Sequence, residues 1–265
     1  MKYNRVMFFS VSALLVSLIA RFVQLKFICE EATGFFKPEF QGVGNTLLFV
    51  IFIFAVITVV FAAISHRSPE HPPKASVPLC VASFLAAGGV LSALLGSHTS
   101  ATGLSFQITY LNISGFAAAA FFVLFGLKKV ANFEIPKVFY CIPVIYMICR
   151  ISYDFSLISS LAVISDNIII LAAHCSGAYY FMQFAKLYIG EDTELNFRKL
   201  LASGLAMVIF SFTATLPNLF LYILQGSAYL HITVTEAISI FATGLFSLVF
   251  ILCHFAKSNM TDVEN

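Results

Sequence analysis

An all-α bundle of about eight transmembrane spans is the fold this sequence predicts, and three observations predict it. Apolar stretches long enough to cross a bilayer, which takes about 20 helical residues, recur along the whole chain. Of 265 residues, 60% are hydrophobic and only 11% charged, whereas a soluble domain carries about a quarter charged residues. Nearly all the Asp, Glu, Lys and Arg fall in the gaps between the apolar stretches. A polytopic membrane protein with 1–265 as a single transmembrane domain is the consequence.

The first span, near 6–28, follows Lys2 and Arg5 in the manner of a secretory signal. Its apolar run continues past Ala20 without an A-x-A site and contains Arg21, so it reads as an uncleaved span. The second, near 46–65, has little polar content beyond Thr58 and is expected to face lipid. In the polar link that follows, His66 and His71 lack a third ligand and read as solvated residues, not a metal site. The third span, near 77–97, carries Gly88, Ser92 and Gly96 at four-residue spacing, and the fourth, near 106–127, carries Gly115 and Ala117 to Ala120. Such small-residue faces predict that these two helices approach each other closely.

The fifth span, near 138–158, contains Arg150 and Asp154, and the sixth, near 166–189, contains His174. Ser165 followed by Asp166 reads as a helix start, Ser as the cap and Asp as the complement of the positive helix end. This start separates spans five and six; the alternative, seven spans, runs them together through 150–166. The seventh span, near 200–224, carries Pro217, and the eighth lies near 232–256.

Orientation follows from the basic residues. With the N-terminus cytoplasmic, Lys2, Arg5, Arg67, Lys74, Lys128, Lys129, Lys137, Lys186, Arg198, Lys199 and Lys257 fall inside, and only Lys26 and Lys37 fall outside. Both termini are therefore expected in the cytoplasm. There is no Trp, so tyrosines such as Tyr3, Tyr110, Tyr188 and Tyr229 must serve the interfaces. All cysteines except Cys29 fall in spans, which leaves no disulfide framework. The net charge of +2 comes from scattered basic residues and excludes a nucleic-acid surface.

The spans carry polar stripes. Glu236, Ser239, Thr243, Ser247 and His254 cover only about 80° of the eighth helix. Ser211, Thr215, Asn218, Tyr222 and Gln225 do the same on the seventh, and Ser10, Ser17, Arg21 and Gln24 on the first. Hydroxyl stripes alone serve as interhelical glue. Charges demand more, because each buried one costs at least a few kcal/mol without a partner or water.

Arg150 and Asp154 are spaced i, i+4 for a pair on one face, which leaves Arg21 and Glu236 as the simplest pair between helices. The polar interior is accordingly expected mainly from spans one, five, seven and eight, open to the outside. Arg21, Arg150, Asp154, Asn218 and Glu236 are the candidate ligand-binding residues, with Glu236 or Asp154 exchanging a proton and His174 as a candidate proton relay. Gln107, Tyr110 and Ser114 would line the same half, where Pro217 also frees a backbone carbonyl. The competing reading makes both charge pairs structural clamps that fix helix register.

No enzyme is expected. His174-Cys175-Ser176-Gly177 resembles half of the G-x-S-G motif of rhomboid proteases, with His in place of the first Gly. Tyr153-Asp154 resembles one motif of intramembrane aspartyl proteases, whose second aspartate is absent. Neither completes a catalytic set, and no cofactor or metal is expected.

Ile164-Ser165-Asp166-Asn167-Ile168, the charged turn from Glu191 to Lys199, and Thr213-Ala214-Thr215-Leu216-Pro217 resemble segments of uncharacterised multi-span integral membrane proteins of clostridial (Firmicutes) bacteria, over roughly the C-terminal half. The resemblance implies a bacterial inner (cell) membrane location and supplies no functional residue. The expected function is binding or transport of a small polar or anionic solute by a protein whose first partner is the lipid bilayer. The alternative is a non-transporting sensor or accessory subunit that docks a partner through loops such as 190–199. Whether a protein partner or a homo-oligomer is involved stays open.

Overall fold

A computed structural model describes residues 3–30, 33–64, 76–97, 105–131, 133–160, 165–190, 194–225 and 233–261. They form eight α-helices: α1 (Tyr3–Val23), α2 (Gln41–Ala63), α3 (Val77–Ser97), α4 (Ser105–Ala131), α5 (Ile142–Ser160), α6 (Ser165–Ile189), α7 (Glu194–Gln225) and α8 (Val234–Thr261). A π-helical turn, Gln24–Ile28, prolongs α1, and a 3-10 turn, Lys137–Cys141, leads into α5. Among the described residues the only extended pairing is a single bridge between Cys29 and Phe36. All eight helices are long and apolar enough to cross a membrane, over segments of 20 to 29 residues, which is the pattern of a multi-pass membrane protein. Helix α5 ends at Ser160 and α6 begins at Ser165, so the eight-span reading stands over the seven-span one.

Helices α3 to α8 close into a ring, each packing on the next in chain order and α3 returning to α8. Helices α1 and α2 lie outside the ring, against each other and against α7. Helix α7 is therefore covered on both sides, and from Leu200 to Thr215 every one of its residues is buried. Helix α2 has the opposite fate: Phe49, Val56 and Val60 point outward, as the lipid-facing expectation requires. Gly44, Ile51, Ala55, Thr58 and Ala62 form its narrow buried stripe.

The small-residue stripe of α3 packs differently from the expectation. Ser92 donates to the Thr235 carbonyl of α8 at 3.3 Å, and a Cβ on Gly96 would lie 2.1 Å from the Thr235 hydroxyl. Neighbouring Gly89 is pressed on Ala242 in the same way, while Gly88 touches nothing within 4 Å. The stripe therefore serves α3–α8 contact. Helix α4 keeps its expected role, because Gly115 admits the Leu94 side chain of α3.

Aromatic rings fill the ring's interior toward the end of the bundle that carries both termini. Phe122 and Phe125 of α4, Phe181 and Phe184 of α6, and Phe246 and Phe250 of α8 meet with centroids 5.0 to 6.3 Å apart. Most of these contacts are edge-to-face, the arrangement the ring quadrupole favours. Tyr140 and Tyr188 stack at 4.5 Å beneath them, with the Lys128 ammonium over Tyr188. All six phenylalanines are buried, at most 6% exposed, so this half of the ring is a solid plug.

Candidate functional site

Both buried arginines lie toward the opposite end of the bundle, in two separate clusters. In the first, Arg21 of α1 pairs with Asp166 of α6. Its guanidinium also donates to Gln24 at 2.8 Å and to the Ser165 hydroxyl at 3.1 Å. Asn218 of α7 donates to the same Asp166 oxygen at 3.2 Å and to the Ala214 carbonyl at 2.8 Å. Gln24 donates in turn to the Gly44 carbonyl of α2 at 2.7 Å. One arginine thus ties α1, α2, α6 and α7, and Arg21, Gln24 and Asn218 are 0% exposed.

The connection from α1 to α2 closes over this cluster. Gly34, at φ +73°, makes the turn that lets Glu30 donate to the Phe35 carbonyl and Lys37 to that of Ile28. The turn folds the Phe36 ring onto Gly44, where a Cβ would lie 2.7 Å from the ring. The Phe36 ring thereby requires Gly44, whose backbone carbonyl also takes the Gln24 bond. A cavity of about 180 Å³ lies beside the turn, lined by uncharged groups that include Phe35, Phe36, Gln41, Asn45 and Ser165. Arg21 and Asp166 are sealed beneath it. Burial also pushes the Cys29 thiol, at the start of this turn, up to about 11.

The second cluster lies inside the six-helix ring. Arg150 of α5 pairs through Nε with Asp154 at 3.3 Å, one turn along its own helix, and through the adjacent Nη2 with Glu236 of α8. The free oxygen of Asp154 meets Nδ1 of His174 on α6 at 2.5 Å. The guanidinium rests over the Tyr153 ring at 5.4 Å. Helices α5 and α8 are not neighbours around the ring, so the Arg150–Glu236 pair spans its interior. The side chains of Arg150, Asp154 and His174 are 6 to 8% exposed, while Glu236 keeps 23%. The cluster therefore has a wet edge at Glu236 and a dry floor on the aromatic plug.

Two expectations are corrected here. Arg21 does not pair with Glu236: Asp166 takes Arg21, and Glu236 joins Asp154 on Arg150. Pairing Arg150 with Asp154 along one helix leaves Arg21 to Glu236 by elimination, but α1 lies outside the ring, away from its interior. The polar interior, expected mainly from spans one, five, seven and eight, draws equally on α6, which contributes Asp166 to one cluster and His174 to the other. Asp166 was missed as a site residue because its place at a helix start already accounted for it. Ser165, the expected cap, instead accepts a hydrogen bond from Arg21.

Of the remaining candidates, Asn218 belongs with Arg21, and His174 with Arg150 and Asp154. Tyr110 lies near Asp154, and Ser114 is turned to its own helix at 3.1 Å from the Leu111 carbonyl. The side chain of Gln107, and His66 and His71, lie outside the described residues. The hydroxyl stripes turn inward: Thr243 and Thr215 bond carbonyls one turn back and Ser247 crosses to the Gly204 carbonyl of α7 at 3.3 Å, while the Ser17 and Ser211 hydroxyls are buried without a hydrogen-bond partner. That is the glue role. Among the described residues no group of three or more His, Cys, Asp or Glu side chains is arranged to hold a metal ion. No family model matches the chain, and no curated protein and no solved structure matches it either, so the geometry of these two clusters is the ground for any functional reading.

Proposed function

We propose that this chain is a multi-pass protein of a bacterial inner membrane, with both termini cytoplasmic, that binds and moves a small polar solute at the Arg150 cluster. A proton is exchanged at the Asp154–His174 pair. One observation carries the reading: a charged cluster spans the interior of a closed helix ring, open at Glu236 and floored by aromatic rings. Intramembrane ionisable groups in such a position mark solute and proton paths. The Arg21 cluster serves as the scaffold, because its charges are matched one to one and fully buried.

Thermal unfolding of the detergent-purified protein against amino acids, sugars, small anions and small cations tests this. A solute at about a hundred times its dissociation constant adds roughly 2.7 kcal/mol. The expected result is a hit that a folded Arg150→Gln variant loses and that purified protein in vesicles takes up. A hit that Arg150→Gln retains would move the site elsewhere.

The aromatic plug favours a second reading, in which solute occupies the cluster without passing through and the bundle signals to a partner as a sensor or accessory subunit. Binding without uptake in vesicles is its signature.

A further inference from the structure

Helix α2 begins with two amides that the lipid-facing role of its remaining length does not use. Gln41, Asn45 and Leu48 follow at i, i+4 and i+7 and form a stripe on one side of the helix, with the two amides about 6 Å apart along its axis. This stripe is one wall of the cavity of about 180 Å³ beside the α1–α2 turn. Phe35 and Phe36 of the turn form a second wall, and Ser165 at the start of α6 a third.

These walls are held from behind. The Cys29–Phe36 bridge and the Gly34 turn position the aromatic wall, and Gly44 backs the Phe36 ring. Ser165 is held by Arg21, whose guanidinium donates to its hydroxyl oxygen at 3.1 Å, and it is only 8% exposed. Among the described residues nothing accepts a hydrogen bond from that hydroxyl in return. A buried hydroxyl that accepts one bond, gives none and lines a cavity calls for an acceptor on its open side.

The chemistry of the walls narrows the ligand. Every lining group is uncharged, and Arg21 beneath them is matched by Asp166. Lys37 and Glu30 of the turn are engaged elsewhere, Lys37 with the Phe27 carbonyl at 3.4 Å and Glu30 with the Thr33 hydroxyl at 2.6 Å. An ion, or either end of a zwitterion, would lose hydration here without gaining a counter-charge. Each amide both donates and accepts, as a hydroxyl does, while the two rings offer apolar surface. A compact molecule with hydroxyls along its edge and C–H groups on its face matches all three walls. The volume lies below the ~300–1,000 Å³ of sites for drug-sized ligands, which limits that molecule to about one ring.

We infer that this cavity binds one uncharged sugar unit, with its hydroxyls bonded by Gln41, Asn45 and Ser165 and its C–H face against Phe35 and Phe36. The unit is a free monosaccharide or the headgroup of a glycolipid, since both present the same ring. The site is separate from the Arg150 cluster and does not depend on the solute role proposed there.

The test uses purified full-length protein in lauryldimethylamine oxide, a detergent without sugar. Saturation-transfer NMR is recorded with glucose, galactose and mannose, and with acetamide and sodium acetate as an amide and an anion. It reads contact directly, whereas sugars in bulk stabilise any folded protein by their exclusion from its surface. The expected result is saturable transfer to at least one sugar, with a Kd that rises tenfold or more in Asn45→Leu and in Phe35→Ala. Both side chains are exposed, and should Asn45→Leu not fold, Phe35→Ala carries the comparison. For the lipid source, the micelles are doped with monoglucosyl diacylglycerol or with plain diacylglycerol and the unfolding temperatures compared. Transfer to a free sugar identifies a solute. A rise with the glucosyl lipid alone, lost in the two variants and without transfer to free sugars, identifies a headgroup. Transfer to acetamide or acetate and to no sugar overturns the inference, as does no response to any sugar or to the glucosyl lipid. Sugar binding that both cavity variants retain and a folded Arg150→Gln loses also overturns it, and supports the solute role of the ring. Failure of the sugar site leaves that role to its own test.

Discussion

The Arg21 and Arg150 clusters use the same side-chain chemistry at the same end of one bundle and solve opposite problems. Around Arg21 each charge has one counter-charge, the Gln24 amide and the Ser165 hydroxyl accept from the guanidinium, Asn218 donates to Asp166, and all of these side chains are buried, although Arg21 Nε and the second Asp166 oxygen have no hydrogen-bond partner. Around Arg150 one base faces two acids and a histidine, and one acid stays partly wet. The first arrangement joins four helices. The second leaves an excess of acid over base. An intramembrane arginine is thus not functional or structural by its type or depth; the surplus of its partners and their access to water decide.

The largest expected effect breaks the comparison if it fails. Arg21→Met leaves Asp166 buried and alone and is expected to cost about 3–5 kcal/mol, much of it recovered in Arg21→Met/Asp166→Leu, where no orphan charge is left. Thermal unfolding of both variants in one detergent measures this, and a single variant as stable as the parent refutes the scaffold role. Next, Gly44→Ala must push the Phe36 ring aside, for about 1–3 kcal/mol. Chymotryptic nicking near Phe35 and Phe36 reports whether the turn has lifted. Glu236→Gln, at the wet edge, is expected to cost about 1 kcal/mol or less; a loss equal to that of Arg21→Met would erase the distinction between the clusters.

The smallest effect is a pH dependence. The folded-state pKa of Cys29 is raised from 9.0 to about 11, chiefly by burial. The native state therefore holds its proton longer than the unfolded chain, so this group's stabilisation is complete below pH 9 and declines between about 9 and 11. Maleimide labelling of Cys29 at pH 8 should be slow in the folded protein relative to the denatured chain, and comparable rates would mean that the turn over the Arg21 cluster is open.

Span number and limits were legible because apolar length is a one-dimensional property, and the lipid-facing α2 was legible from its lack of polar residues. What the chain order hid was adjacency. Gly88, Ser92 and Gly96 suggested contact with the next helix, yet Ser92 and Gly96 meet α8, more than a hundred residues away. Arg21 and Glu236 were left to each other by elimination but sit in different compartments of the bundle. Asp166 carried a sufficient local explanation as a helix-start residue, which concealed its bond to Arg21. The plug left no mark for a different reason: Phe122, Phe125, Phe181, Phe184, Phe246 and Phe250 share the spacing of any apolar helix face, and thirty phenylalanines are spread along the chain.

The plug also has an electrical meaning. Across a membrane the voltage falls where the dielectric is driest, and here that is the stack of rings between the Arg150 cluster and the terminus-bearing end. An ion that reaches Glu236 from the opposite end has crossed little of the field, and one that passes the rings crosses most of it, at about 2.3 kcal/mol per charge per 100 mV. Occupancy of the cluster should therefore be nearly indifferent to membrane potential, and passage beyond it steeply dependent.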